Sequence, residues 1–123
     1  MVIADTNILI AAMRGNSIAI SLLKKYKPTI AISIVSKIEL SVGATDSDKK
    51  NAVKIIADTH EVLPLSKAIG EKALSLVEIY CTPNRRLYMP DALIAATCLE
   101  HNATLITFNT KDFKFIKGLK LAK

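Results

Sequence analysis

The chain has 123 residues, half of them apolar, with 17 Lys and Arg against 11 Asp and Glu and a net charge of +6. That length and apolar content suit one domain with its own core and exclude an intrinsically disordered chain. Two cysteines in neither metal-ligand nor redox spacing exclude a zinc finger and a disulfide scaffold, no apolar run approaches the roughly 18 residues of a membrane span, and the basic balance favours a polyanionic partner, RNA or DNA above all.

Val2-Ile3-Ala4 is a short, β-branched apolar run that predicts a buried strand, and Thr6 and Asn7 suit a helix start. Asp5 then falls at the carboxyl end of a strand, where open α/β sheets collect their ligands, although the same position also suits a helix cap. An acid inside this apolar run, with no basic leader, does not read as a signal peptide, so a cytoplasmic protein is expected.

Arg14 to Ser17 predicts a turn ending in a helix cap. Ile18, Ala19, Leu22, Leu23 and Tyr26 recur at helical spacing, with Lys24, Lys25 and Lys27 toward the negative end of the dipole, and Pro28 stops the helix. Thr29 to Ile32 predicts a second parallel strand. Ser33 or Ser36 caps the next helix, which carries Glu39 among apolar residues and ends near Gly43. Thr45 to Asp48 is a polar turn before a helix through Ala52, Val53 and Ile56. Val62 to Leu65 is a short strand or edge segment. Ser66 caps an amphipathic helix whose face is Ile69, Ala73, Leu76, Val77 and Tyr80. Cys81 to Met89 is the longest loop, Pro90 suits a helix start, and Asp91 to His101 is apolar enough to be buried all round. Leu105 to Phe108 predicts a third strand, Asn109 to Phe113 a turn, and a basic tail follows. Short apolar strands alternating with helices argue for a parallel sheet covered on both faces.

Asp5, Glu39, Asp91 and Asp112 stand out by position: two follow strands, one opens a buried helix, and one is embedded in an apolar helix. Each has a plain alternative as a cap, a solvated turn or an exposed helix face. Together they are over a third of the acids in a basic chain. If they converge, repulsion raises their pKa values and a divalent cation relieves it. Hard oxygen ligands suit Mg²⁺ or Mn²⁺. Two such ions roughly 3.5–4 Å apart would activate a water against a phosphodiester and stabilise its leaving oxygen. No Ser/His/Asp set supplies a nucleophilic side chain, and His60 and His101 read as surface or cap residues.

Asp5-Thr6-Asn7, Ser36-Lys37-Ile38-Glu39-Leu40, Pro90 to Thr97 and Thr107 to Phe113 resemble, in order and spacing, the four motifs of PIN-domain ribonucleases, and more closely those of the VapC toxins. The resemblance covers nearly the whole chain and implies a single PIN domain over residues 1–123. It implies an α/β fold, a three-layer α/β/α sandwich with a central parallel sheet and the acids at its carboxyl edge. It implies endonucleolytic, Mg²⁺- or Mn²⁺-dependent cleavage of RNA, tRNA or rRNA, leaving a 5′-phosphate and a 3′-hydroxyl. Carried over by residue, Asp5, Glu39, Asp91 and Asp112 are catalytic metal-site acids, while Thr6, Asn7, Thr107 and Asn109 are supporting polar residues that orient a carboxylate or a water. The partners implied are an RNA substrate, a small VapB-like antitoxin and a second copy in a homodimer, with no membrane. Residues 18–26 and 48–60 offer amphipathic faces for such contacts, and core packing explains them equally well.

Arg85 and Arg86, in the loop before Asp91, are candidate phosphate contacts, Arg offering a planar fork. Lys111, Lys114, Lys117, Lys120 and Lys123 recur every third residue and read either as phosphate contacts or as a solvated basic surface. The absence of Trp disfavours a base-stacking platform and favours structured RNA gripped by its backbone. A haloacid-dehalogenase-type phosphatase also opens on an aspartate after a strand, but it needs a second Asp where this chain has Asn7. The remaining alternatives are a PIN nuclease of RNA processing and a non-cleaving PIN-like binding module.

Overall fold

The computed structural model describes Met1–Ala122. Five strands form one parallel sheet: β1 (Val2–Ala4), β2 (Ile30–Ser33), β3 (Glu61–Leu63), β4 (Thr104–Ile106) and β5 (Lys120–Leu121). Their order is β3-β2-β1-β4-β5. The chain therefore winds outward from β1 to β3 on one side and from β4 to β5 on the other. Between β1 and β4 the winding direction reverses, and crevices for ligands open at such switch points, beyond the carboxyl ends of the strands.

Six helices cover the sheet: α1 (Thr6–Met13), α2 (Ser17–Tyr26), α3 (Ile34–Gly43), α4 (Ser47–Thr59), α5 (Lys67–Tyr80) and α6 (Met89–Glu100). Successive strand residues point to opposite faces. Ile3 and Leu105 accordingly join one apolar cluster with Ile69, Ala73 and Leu76 of α5 and Ile94, Ala95 and Cys98 of α6. Ala4 and Ile106 join the other, with Ile8 and Leu9 of α1, Ala19 of α2 and Val53 of α4. The result is the expected α/β/α sandwich. Helix α3 contributes Val35 to the first cluster and Leu40 to the second. It thus runs along the carboxyl edge between the layers, which is how Glu39 reaches the end of the sheet.

The helix starts are local, and the cap of α2 is Asn16, one residue before the Ser17 that ends the expected turn. Asn16, Asp46 and Ser66 each accept a hydrogen bond from the backbone N–H three residues on, at 3.0, 2.8 and 3.1 Å. Each such cap stabilises by about 1 kcal/mol. Ser33, not Ser36, caps α3, through Val35 N at 3.1 Å. Asn102, at φ 50°, closes the chain behind α6.

Three expectations need correction. The strand placed at Thr29 to Ile32 is β2, shifted by one residue. The strand placed at Leu105 to Phe108 ends at Ile106, and Phe108 is exposed. The tail is not wholly a solvated extension: Lys120–Leu121 pairs with β4, and Phe113 and Ile116 are buried. Lys123, the last tail lysine, lies outside the described residues. No single helix among the described residues is long and apolar enough to cross a membrane.

Candidate active site

Asp5 is the N-cap of α1 and is only 4% exposed. Its Oδ1 accepts from Thr6 N at 2.8 Å, so the helix start itself orients the carboxylate. Its Oδ2 accepts from the Thr107 hydroxyl at 2.8 Å. The cap reading of Asp5 holds, and the cap bond leaves its second oxygen to Thr107. Thr107 spends its capacity fully: it donates to Asp5 and accepts from Asn109 N at 3.0 Å and Asn7 Nδ2 at 3.4 Å. Asn7 also accepts from Phe108 N at 3.4 Å, so it ties α1 to the loop beyond β4. Asn109 joins this network through its backbone N–H.

Glu39 is half-buried on α3, with Oε1 2.7 Å from Thr6 Oγ1. Thr6 Oγ1 also stands 2.9 Å from the fully buried Ser36 Oγ. A hydroxyl has one hydrogen, so Thr6 donates to the carboxylate while Ser36 donates to Thr6. Ser36 reads in the sequence as a possible cap and as the first residue of the Ser36–Leu40 motif; its hydroxyl instead backs Thr6, the residue that binds Glu39. Its signal was a Ser on the same helix face as Glu39, three residues before it.

Asp91 lies in the first turn of α6, where the helix dipole favours an anion. Asp112 ends a 3₁₀ turn, Thr110–Asp112, that follows β4. Burial pushes the Asp91 carboxyl up to about 6, and the charges of Asp5, Asp112 and Glu39 push in the same direction. Burial likewise raises Asp5; the Thr107 and Thr6 bonds oppose it, and Glu39 and Asp112 add to the rise. The four predicted acids are therefore brought into one another's electrostatic field. Among the described residues, however, no three Asp, Glu, His or Cys side chains are gathered tightly enough to cage a cation as they stand. The cluster is a concentration of negative charge rather than a closed coordination shell.

Cys98 is fully buried on α6, and burial, followed by the charge of Asp5, pushes its thiol up to about 12. It stays protonated, which makes it a packing residue and a poor metal ligand. His60 and His101 are C-caps of α4 and α6.

The two loop arginines differ. Arg85 donates from Nε to Tyr80 O at 3.0 Å, and its guanidinium lies 4.2 Å over the Phe115 ring. It holds the loop to the end of α5 and to the tail. Arg86 is exposed.

A PIN-domain family model matches residues 2–119. The chain is 31% identical to ribonuclease VapC10 of Mycobacterium tuberculosis, over 98% of this chain and 91% of that protein. Among solved structures it is similar to the toxin–antitoxin complex from Klebsiella pneumoniae, at 33% identity and TM-score 0.85, covering 100% of this chain and 97% of the other. It is also similar to VapBC2 from Rickettsia felis bound to a DNA fragment from its promoter, at 27% identity and TM-score 0.79, covering 99% and 98%.

Proposed function

Because the chain belongs to the PIN-domain family, we propose that it is a Mg²⁺- or Mn²⁺-dependent endoribonuclease and the toxin half of a toxin–antitoxin pair. The observation that carries this reading is the pooling of Asp5, Glu39, Asp91 and Asp112 from four separate stretches of chain, near enough to perturb Asp5 and Asp91. The ribonuclease name of one relative and the toxin–antitoxin complexes among similar structures support it.

Asp5, Glu39, Asp91 and Asp112 would hold the cation. Their all-oxygen donor set suits a hard ion. Their present spacing requires side-chain rotation or bridging water to complete a shell. When bound, the cation lowers the pKa of a water and stabilises charge developing on a phosphodiester. The chain's own groups do the positioning. Thr107 fixes one Asp5 oxygen and Thr6 fixes one Glu39 oxygen, and the remaining lone pairs stay available to a ligand. Without a cation the Asp91 carboxyl is pushed up to about 6 by burial and its acidic neighbours, and a bound cation would favour its charged form.

The substrate we infer is structured RNA, such as tRNA or rRNA, held by its backbone. The partner is a VapB-like antitoxin. A second copy of the chain, in a homodimer, belongs to the same proposal.

The test is cleavage of labelled RNA by purified protein with Mg²⁺ or Mn²⁺. We expect EDTA to stop it, and Asp91→Asn to abolish it with an unchanged circular dichroism spectrum. Full activity in a folded, contaminant-free Asp91→Asn preparation overturns the assignment. Induced expression should arrest growth, relieved by the antitoxin, and mapped RNA ends then identify the target.

A further inference from the structure

Helix α1 carries more than Asp5. Asn7, Ile10, Ala11 and Arg14 follow the spacing i, i+3, i+4, i+7 and so share one face. With Gly15 and Asn16 they line an open groove of about 520 Å³. The groove starts at Asn7, which is bonded to the Thr107 that holds Asp5. It ends at Arg14, about 10 Å further along the helix axis. A Cβ on Gly15, whose φ is +84°, would meet nothing within 4 Å, so that end is open.

Among the described residues, Arg14 is the only charged side chain lining this groove. It is exposed and forms no ion pair among the described residues. A second groove of about 380 Å³ lies on the other side of Arg14 and contains Glu39. That groove also has Asp48, with Lys49 beside it, and an apolar floor of Met13, Leu40 and Ala44; its two carboxylates and that floor disfavour phosphate. The groove from Asn7 offers the opposite: a neutral polar end beside the acids, small side chains between, and one unpaired guanidinium. Arg presents a planar fork that fits a phosphate bidentately.

We infer that the groove from Asn7 to Arg14 seats one strand of RNA, with Arg14 holding a backbone phosphate away from the one that reacts. This rests on the ribonuclease reading. Arg14 is thus a substrate-positioning residue. Its location at the C-terminus of α1 also suits the helix dipole, a role that Lys would keep.

The test is anisotropy of a labelled RNA hairpin with a single-stranded loop in EDTA, titrated with Asp91→Asn protein across a salt series. Adding Arg14→Gln should weaken binding by about 3- to 10-fold and reduce the slope of log K against log salt by about 0.7, the value for one phosphate on a single strand. Arg14→Lys should keep the slope while losing part of the affinity. Lys72→Gln, an exposed charge on α5, should leave the slope nearly unchanged. An unchanged slope in Arg14→Gln overturns the inference, as does an equal fall in Lys72→Gln. Unchanged RNA binding with lost antitoxin binding assigns the groove to the protein partner and also overturns it. Wild-type cleavage with Arg14 indifferent to RNA leaves the ribonuclease reading standing. Neither binding nor cleavage of RNA by wild type removes both.

Discussion

The Thr107 hydroxyl donates to Asp5 Oδ2 at 2.8 Å across 102 positions of sequence. Parallel pairing of Ala4 with Ile106 brings the two together, because each residue is the first beyond the end of its strand. Thr107→Val keeps the shape and removes the donor. A buried carboxylate oxygen then lacks a partner, which costs about 1–3 kcal/mol. Cation affinity or cleavage should fall by about 10- to 100-fold, as for other residues that orient metal-site carboxylates. Thr107→Ser should restore most of both. Urea melts and Mn²⁺ titrations read the two effects, and an unaltered midpoint with unaltered affinity removes Thr107 from the site.

Asp91→Asn should separate function from stability. The charged form of Asp91 is disfavoured in the folded protein, since burial and three neighbouring acids raise its pKa. An uncharged amide of the same shape removes that cost. In EDTA at pH 8 the variant should melt about 3–6 °C above wild type, the shift that roughly 1 kcal/mol produces in a domain of this size. Saturating Mg²⁺ should erase the difference by stabilising only wild type. An equal melting temperature in EDTA contradicts close approach of the acids.

The same groups set a pH dependence. Asp91 titrates near 6 when folded and nearer 3.8 when unfolded, so between those values the folded state binds more protons. Stability from this source is fully present below about pH 4 and is lost as pH rises through 6. Asp5, also raised, contributes in the same direction. The metal-free urea midpoint should therefore fall on going from pH 5 to pH 8, and Asp91→Asn should flatten the fall. A midpoint that rises over this interval opposes the raised carboxyls.

Arg85 and Arg86 are neighbours in sequence with different expected phenotypes. Arg85 lies over Phe115 and donates to Tyr80 O, while the Tyr80 hydroxyl accepts from Lys117 N at 2.9 Å. Arg85→Ala should cost about 1–2 kcal/mol, and Arg85→Lys should recover little of it, because an ammonium neither stacks nor keeps the Nε bond. Arg86→Ala should change stability by less than about 0.5 kcal/mol. If Arg86 touches RNA, that variant should instead reduce the salt slope of binding. Equal melting curves for the two alanine variants refute the distinction.

What the sequence disclosed and what it withheld follow from the range of the interactions. Strand β1 and Asp5 were legible because a β-branched run, a carboxylate and a helix start lie in consecutive positions. The cap at Ser66 was legible for the same reason: donor and acceptor are three residues apart. Arg85 was not, because Phe115, the ring it covers, is 30 positions away in a tail that reads as basic and polar. Strand β5 has only two residues, one of them Lys120, and exists through pairing with β4. The contact made by Ser36 was not legible, because its partner, Thr6, arrives only when α1 and α3 pack together at the sheet edge. Local chemistry thus located the acids, and tertiary packing determined what holds them.

Thr6 gives the last test of that packing. It is 8% exposed and joins Glu39 of α3 to the residue after Asp5. Its hydroxyl is the donor that fixes Glu39 Oε1, with the buried Ser36 hydroxyl behind it. Thr6→Val removes both bonds at nearly constant volume. The Glu39 carboxylate loses a charge-assisted bond, and the Ser36 hydroxyl loses its partner, for a combined cost of about 2–3 kcal/mol. Ser36→Ala removes the outer link alone and should cost about 1 kcal/mol, with Glu39 still held. Mn²⁺ affinity should therefore fall about 10-fold or more in Thr6→Val and less than about 3-fold in Ser36→Ala, with Thr6→Ser close to wild type. The order matters more than the size: if Ser36→Ala impairs cation binding as severely as Thr6→Val, the hydroxyl of Thr6 is not the group that positions Glu39.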